Sequence, residues 1–283
     1  MPTKLFIIWD FDAAIGQINA TYPYKYNEQL ILDELENVKQ TLILANNHQV
    51  KMIFAITGYS AEEGVYPFHI QDLIREIHQQ GHEIASHSWR HEWFPYLTRK
   101  QVTLSLERSK FILEKCIGEE GAVKGFVPPF TRPFSWYQKG SFSLGDRSLA
   151  FSNFPGANLG SLIPIVKKAG YSWIRSTYRP MIEKLVGKNK NKSLDRKWFH
   201  YHDVLCFPQN YVGFDDGAER MLELGIQKKK DVVICGHPSG LSRNKPGNAE
   251  HLKYLKSFLQ KVDEYQSQGT LHSAYLKDHC TKA

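Results

Sequence analysis

Short apolar runs alternate with longer amphipathic stretches along the chain, and the alternation predicts its elements. Leu5 to Trp9 and Val50 to Ala55 are rich in β-branched and aromatic residues and read as strands. Between them, Leu30, Ile31, Leu35, Val38, Leu42 and Leu44 recur at roughly helical spacing. Ile70, Leu73, Ile74 and Ile77 mark a second helix that ends near Gly81, a residue that tolerates a left-handed C-cap. His82 to Ala85 starts a third strand. Thr98, a good N-cap, precedes a long helix to Ile117 that Gly118 closes. Further strands fall at Val123 to Val127, Tyr171 to Ile174, Val204 to Phe207 and Val232 to Cys235. A last helix carries Leu252, Leu255, Phe258, Leu259 and Val262. Pro129 to Pro164 reads as a long irregular loop, of the kind that covers a substrate groove.

Strands alternating with helices imply a largely parallel sheet of about seven strands, either open or closed as a barrel. No Pro/Ser linker, low-complexity block or internal repeat divides the chain, so residues 1–283 are expected to form a single domain. The composition, 42% hydrophobic and 23% charged, is that of an ordinary globular enzyme. No apolar run approaches the roughly 18 residues of a membrane span. The start of the chain could mimic a signal peptide, but Leu5 to Trp9 is short and Asp10 and Asp12 follow at once, so a cytoplasmic location is expected. Cys116, Cys206, Cys235 and Cys280 are widely spread and read as reduced thiols. Much of the net charge of +7 sits between Lys184 and Lys197. That segment is a solvated loop or a contact for a phosphate-bearing substrate; no nucleic-acid motif accompanies it.

The candidate chemistry begins at His87-Ser88-Trp89-Arg90-His91. Two histidines four apart share one face of a helical turn and can reach one ion, and this pair directly follows a predicted strand. That end of a strand is where parallel α/β barrels build their sites. By itself the spacing is weak, because 12 histidines make chance pairs common. Asp10 and Asp12 flank Phe11 at the end of the first strand and share a face. Two adjacent carboxylates favour a cation between them or a raised pKa on one. One could bind a metal while the other takes a proton from water; the plain alternative is a helix-capping Asp with an exposed neighbour.

The stretch Gly81-His82-Glu83-Ile84-Ala85-Ser86-His87-Ser88-Trp89-Arg90-His91 resembles the second motif of the polysaccharide deacetylases (carbohydrate esterase family four, the NodB homology domain). Lys51 to Gly58 is similar to the family's second strand, and Asp10-Phe11-Asp12 resembles a D-x-D version of its first motif. The resemblance runs from about Lys4 to Phe130 and resumes near His237. It implies an α/β fold, a distorted (β/α) barrel of about seven parallel strands. It also implies a metal-dependent hydrolase that removes an N-acyl group, N-acetyl first, from an amino sugar or glycan precursor. In that pattern Asp12, His87 and His91 hold a divalent metal, with Zn²⁺ ahead of Co²⁺, Ni²⁺ or Fe²⁺, and Asp10 is the general base. Val127-Pro128-Pro129-Phe130 aligns with the third motif, so Phe130 would offer its N–H to the oxyanion. Cys235-Gly236-His237 aligns with the fifth, making His237 the general acid and setting Cys235 near the acyl methyl.

Two departures stand out. Val127 occupies the place of an arginine that holds the catalytic aspartate, and no Asp-rich fourth motif appears near Trp173. Arg132 and Arg175 are candidates to substitute. A catalytically impaired carbohydrate-binding protein on the same fold is therefore the main alternative, and a non-haem iron oxygenase, which also uses two histidines and a carboxylate, is a third reading. Phe214-Asp215-Asp216-Gly217 looks like the commoner first motif, but no clear apolar strand precedes it, and it is expected to cap the helical run Met221 to Ile226.

Overall fold

A first strand with an unbroken apolar run from Leu5 to Trp9 needs cover on both faces, and the computed structural model supplies it. It describes residues 2–20, 24–94, 97–131, 141–142, 151–152, 159–176 and 194–280. In chain order the strands are β1 (Thr3–Phe11), β2 (Ile53–Ile56), β3 (Glu83–Ser86), β4 (Gly125–Phe126), the hairpin β5 (Ser141–Phe142) and β6 (Phe151–Ser152), β7 (Trp173–Arg175), β8 (Phe199–Tyr201), β9 (Val204–Phe207), β10 (Tyr211–Val212), β11 (Val232–Gly236) and β12 (Leu271–Ser273). The helices are α1 (Ala13–Asn19), α2 (Glu28–Asn47), α3 (Gln71–Gln79), α4 (Arg99–Ile117), α5 (Leu159–Lys168), α6 (Asp216–Lys228) and α7 (Leu252–Ser267). The main sheet runs β10-β11-β1-β2-β3-β4-β7-β9-β8, with β12 added to β1. Its neighbours are parallel except β8 and β9. The seven strands expected from the sequence are its consecutive centre, from β11 to β9. The result is an α/β fold with a curled, mostly parallel half-barrel.

The period of two along β1 separates two cores. Leu5, Ile7, Trp9 and Phe11 face the helical layer and pack with Val38, Leu42, Ile74, Leu106, Leu222 and Phe258. Phe6 and Ile8 face the inside of the curl with Ala55, Ala85, Val127, Trp173, Phe207, Val233 and Cys235. Asp10 continues this inner row at the C-terminal edge of the sheet.

The expected helix ends are present. Thr98 and Gln101 form a reciprocal capping box on α4, and Gly118 ends that helix in the left-handed region at φ 74°. Such an N-cap stabilises by about 1 kcal/mol. Asp215 caps α6 by accepting from the Gly217 N–H, as expected of this false first motif. At the N-terminal end of the curl, buried Glu83 accepts from Trp173 Nε1 at 3.0 Å and from the Leu276 N–H at 2.9 Å, tying the C-terminal segment to the sheet. Burial pushes its carboxyl up to about 7.

The predicted loop from Pro129 to Pro164 is corrected at its far end, where α5 begins at Leu159 and contains Pro164. Buried Leu162, Ile163, Ile165 and Val166 drive that helix against the core, and packing outweighs the proline penalty. The rest of that loop, apart from 129–131 and the hairpin, lies outside the described residues, as do Arg132 and most of the Lys184 to Lys197 segment. All four cysteines are free, and no helix among the described residues is long and apolar enough to cross a membrane.

Candidate functional site

Parallel strands deliver their following loops to one edge of the sheet, and the candidate residues gather there. Asp12 follows β1, His87 follows β3 and His91 lies four residues further on. Their donor atoms all fall within 4.8 Å of one another, and all three residues are buried. Asp12 Oδ1 is 3.4 Å from His87 Nε2 and 3.2 Å from His91 Nε2.

The histidine pair is not on a helical turn. Residues 87–93 form an irregular turn in which Ser88 and His91 adopt φ of 65° and 58°, a region that breaks a helix and strains residues with a Cβ. Glu92 holds this backbone. Its Oε2 accepts from Ser88 Oγ at 2.7 Å, from the Arg90 N–H at 2.8 Å and from Ser105 Oγ at 3.1 Å. On the other side, Gly16 lets α1 approach: a Cβ there would lie 2.7 Å from Asp12 Cβ. Thr57 Oγ1 donates to the Asp12 carbonyl at 3.1 Å.

The donor set fits a cation. The His87 Nδ1 lies 2.7 Å from the Val127 carbonyl. A carbonyl only accepts, so Nδ1 carries the proton and Nε2 turns its lone pair towards Asp12. Asp12 Oδ1 is sealed from solvent and faces the Nε2 atoms of both histidines. Burial alone would raise the Asp12 carboxyl, but His91 and His87 hold it well below the ordinary range. A buried carboxylate oxygen within 3.4 Å of two imidazole nitrogens is a donor set that suits a divalent metal.

Asp10 faces the same space. Arg175, the last residue of β7, grips it through two parallel bonds, Nη1 to Oδ1 at 2.6 Å and Nη2 to Oδ2 at 2.5 Å. Both side chains are buried. Of the two arginines considered as substitutes at Val127, Arg175 supplies the ion pair, from the end of β7 and not from the end of β4. Val127 itself is a buried member of the inner core. Burial would raise the Asp10 carboxyl, yet the Arg175 guanidinium outweighs it and holds it below its usual value. The repulsion anticipated between the two carboxylates thus raises neither: Arg175 serves one and the histidines the other.

His237 follows β11 and stands across the site, its Nε2 3.8 Å from Asp10 Oδ2. Glu250 anchors it twice through Oε1, accepting from the His237 backbone N–H at 2.7 Å and meeting Nδ1 at 2.8 Å. Burial would lower the imidazole, but Glu250 overbalances it and raises His237 to about 10, so it is protonated at neutral pH. Cys235 lies beside Arg175, and burial pushes its thiol up to about 12, which leaves it neutral. Phe130, at φ 63°, packs its ring 4.6 Å from that of His91. All six residues singled out from the sequence thus belong to this region.

Sequence reasoning missed the residues that act on them. Glu250 is 13 positions from His237 and carries no motif. Glu92 is adjacent to a candidate ligand but looks like an ordinary loop acid. Glu34, on α2, is fully buried and bonded to Gln17 Nε2 at 2.6 Å, and burial followed by the nearby Asp12 charge raises it to about 8. A lone charged residue on the apolar face of α2 was the available signal.

Comparison with known proteins is consistent with this geometry. The polysaccharide deacetylase family model matches residues 30–138. A Bacillus subtilis protein, YlxY, described as uncharacterized, is 30% identical over 94 residues, 33% of this chain and 27% of that protein's length. Among solved structures, a Mycobacterium smegmatis protein assigned as a polysaccharide deacetylase superposes with a TM-score of 0.62 at 16% identity, covering 99% of this chain and 90% of its own. The PuuE allantoinase superposes with a TM-score of 0.62 at 14% identity, covering 98% and 88%. At such identities these two structures speak for the fold alone.

Proposed function

From the match of residues 30–138 to the polysaccharide deacetylase family model, we infer a metal-dependent hydrolase that removes an N-acyl group, N-acetyl first, from an amino sugar or sugar-containing precursor. Residues 1–283 would act as one catalytic unit. The observation that carries the reading is the convergence of two differently tuned groups on the Asp12–His87–His91 cluster. Asp10 is kept ionised by Arg175, and His237 is kept protonated by Glu250. Such a split is what an acid–base pair needs.

Asp12, His87 and His91 would hold the cation, Zn²⁺ being the one whose usual ligand set they match best. When bound, it would supply Lewis-acid polarisation and ease the ionisation of water at neutral pH. Asp10 would take the proton of the attacking water, and Arg175, bonded to both of its oxygens, would keep the carboxylate from rotating away. His237 would give a proton to the departing amine, with Glu250 holding its imidazole ring. The Phe130 N–H is our candidate donor to the oxyanion, since Pro129 has none to offer. The Asp10–Arg175 pair also removes the main motive for a binding-only reading, which rested on Val127.

The test is metal content by elemental mass spectrometry together with acetate release from N-acetylated amino sugars, for the wild type and for His87→Ala/His91→Ala. Near-stoichiometric metal lost in the double variant, with acetate release lost alongside it, is expected. A protein that takes up no metal after reconstitution, or an Asp10→Asn variant with full turnover, would refute the mechanism.

A further inference from the structure

The short helix α1 begins directly after the candidate ligand Asp12. At seven residues it is too short to keep its shape alone in water, so its position is set by what it is fastened to. Its entry is strained: Ala13 adopts φ 53°, a left-handed conformation that a residue with a Cβ keeps only where its surroundings enforce it. The Asp12 side chain does not cap the helix, and its carboxylate faces the histidines instead. One turn on, Gly16 comes close to two of the ligands. A Cβ there would lie 2.7 Å from Asp12 Cβ and 3.5 Å from His91 Cβ. The seat of α1 therefore bears on how far Asp12 stands from His91.

Side chains of α1 fasten that seat at two places. Asn19 Nδ2, at its end, donates to the Arg90 carbonyl at 2.6 Å, one residue before His91. Gln17 Nε2 donates to Glu34 Oε2 of α2 at 2.6 Å and reaches the Leu30 carbonyl at 3.4 Å. Glu34 is fully buried, and its second oxygen, Oε1, has no hydrogen-bond partner among the described residues. One turn further along α2, Asn37 Nδ2 donates to the Pro238 carbonyl at 2.9 Å, next to His237. One helix thus braces both α1 and the loop of the candidate acid. Exchanging a buried polar pair for apolar side chains is often neutral for stability, so stability is a poor reason to keep a carboxyl here. A fixed distance between two ligands is a better one.

We propose that Gln17, Asn19 and Glu34 are positioning residues that seat α1 and so fix the separation of Asp12 from His91, which makes the cluster hold a divalent cation in one geometry. The inference rests on the metal-site reading, and its test reads metal binding and not turnover. The full chain and its variants are compared by chelator competition for Zn²⁺, by the visible spectrum of bound Co²⁺, which reports coordination geometry, and by urea unfolding without metal. Gln17→Leu/Glu34→Leu removes both polar partners together, so its metal-free unfolding midpoint should match that of the wild type. Its zinc affinity should nevertheless fall about tenfold or more, with a changed Co²⁺ spectrum. Glu34→Gln alone keeps an oxygen to accept from Gln17 and should retain the affinity and spectrum of the wild type. A folded double variant with unchanged zinc affinity and Co²⁺ spectrum overturns the proposal, as does Glu34→Gln binding zinc as weakly as the double variant. If the double variant does not fold, Asn19→Ala at the surface end of α1 decides. Its zinc affinity should fall about threefold or more, and an unchanged value overturns the proposal. Unchanged variants of a metal-binding wild type overturn this inference alone, whereas a wild type that takes up neither ion overturns the metal-site reading with it.

Discussion

Replacing Arg175 by Met tests the relocated ion pair. The substitution keeps most of the side-chain volume but leaves Asp10 buried with no guanidinium beside it, where two bonds of 2.5 and 2.6 Å stood. Two charges about 4 Å apart at an effective dielectric near 20 attract by about 4 kcal/mol. Stranding one partner of a buried pair costs about 3–5 kcal/mol. The pH dependence makes the test sharp. In the wild type the folded Asp10 carboxyl lies below its ordinary 3.8, so its contribution is present above that value and is lost only as pH falls through the folded value. In Arg175→Met, burial dominates and the carboxyl rises above its ordinary value. The folded variant then binds a proton that the unfolded chain releases, so its stability increases as pH falls towards 4. Urea unfolding should show a gap of about 3–5 kcal/mol at pH 8 that closes by up to ~1.4 kcal/mol per pH unit below the raised pKa. Arg175→Met/Asp10→Asn should recover much of the loss, because no charge is stranded. A gap constant from pH 5 to 8, or a double variant no better than the single, would refute the reasoning.

Two further expectations follow from the same site. His237 stands at about 10 against an ordinary 6.5 because of Glu250, and its 37% side-chain exposure discounts that shift. Glu250→Gln should therefore move the alkaline limb of kcat/KM down by about two pH units, since a protonated His237 is the required form. A cation at the metal cluster acts on both proteins alike, so the difference between the profiles is the readout, and superimposable alkaline limbs would exclude His237 as the acid. Glu92→Ala removes the one oxygen that accepts all three bonds, and should weaken zinc affinity about ten- to hundredfold with circular dichroism unchanged. Wild-type affinity in competition with a chelator would show that Glu92 does not position the ligands.

Local pattern carried the elements and one row of the site. Period two along β1 put Phe6, Ile8 and Asp10 on one face, and the structure makes that face the inside of the curl. Thr98, Gly118 and Asp215 announced helix ends because a cap is a contact within a few residues. His87 and His91 were legible as a pair, but their spacing suggested a helical turn, whereas Ser88 and His91 adopt positive φ and Glu92 fixes the turn. That geometry depends on Ser105 of α4 and could not be read from the pair's spacing.

The sequence by itself determined the seven central strands, the main helix ends and the residue types that follow β1, β3 and β11, since these follow from short-range periodicity and capping. Only the tertiary structure decided which charges pair. Arg175 meets Asp10 across 165 positions, and Glu34 is buried near Asp12 because α2 packs against α1. Val127 does not leave Asp10 unpaired, because Arg175, at the end of the neighbouring strand β7, supplies the guanidinium. Parallel strands bring distant positions to one edge, and local periodicity holds no record of which side chain will find which partner there.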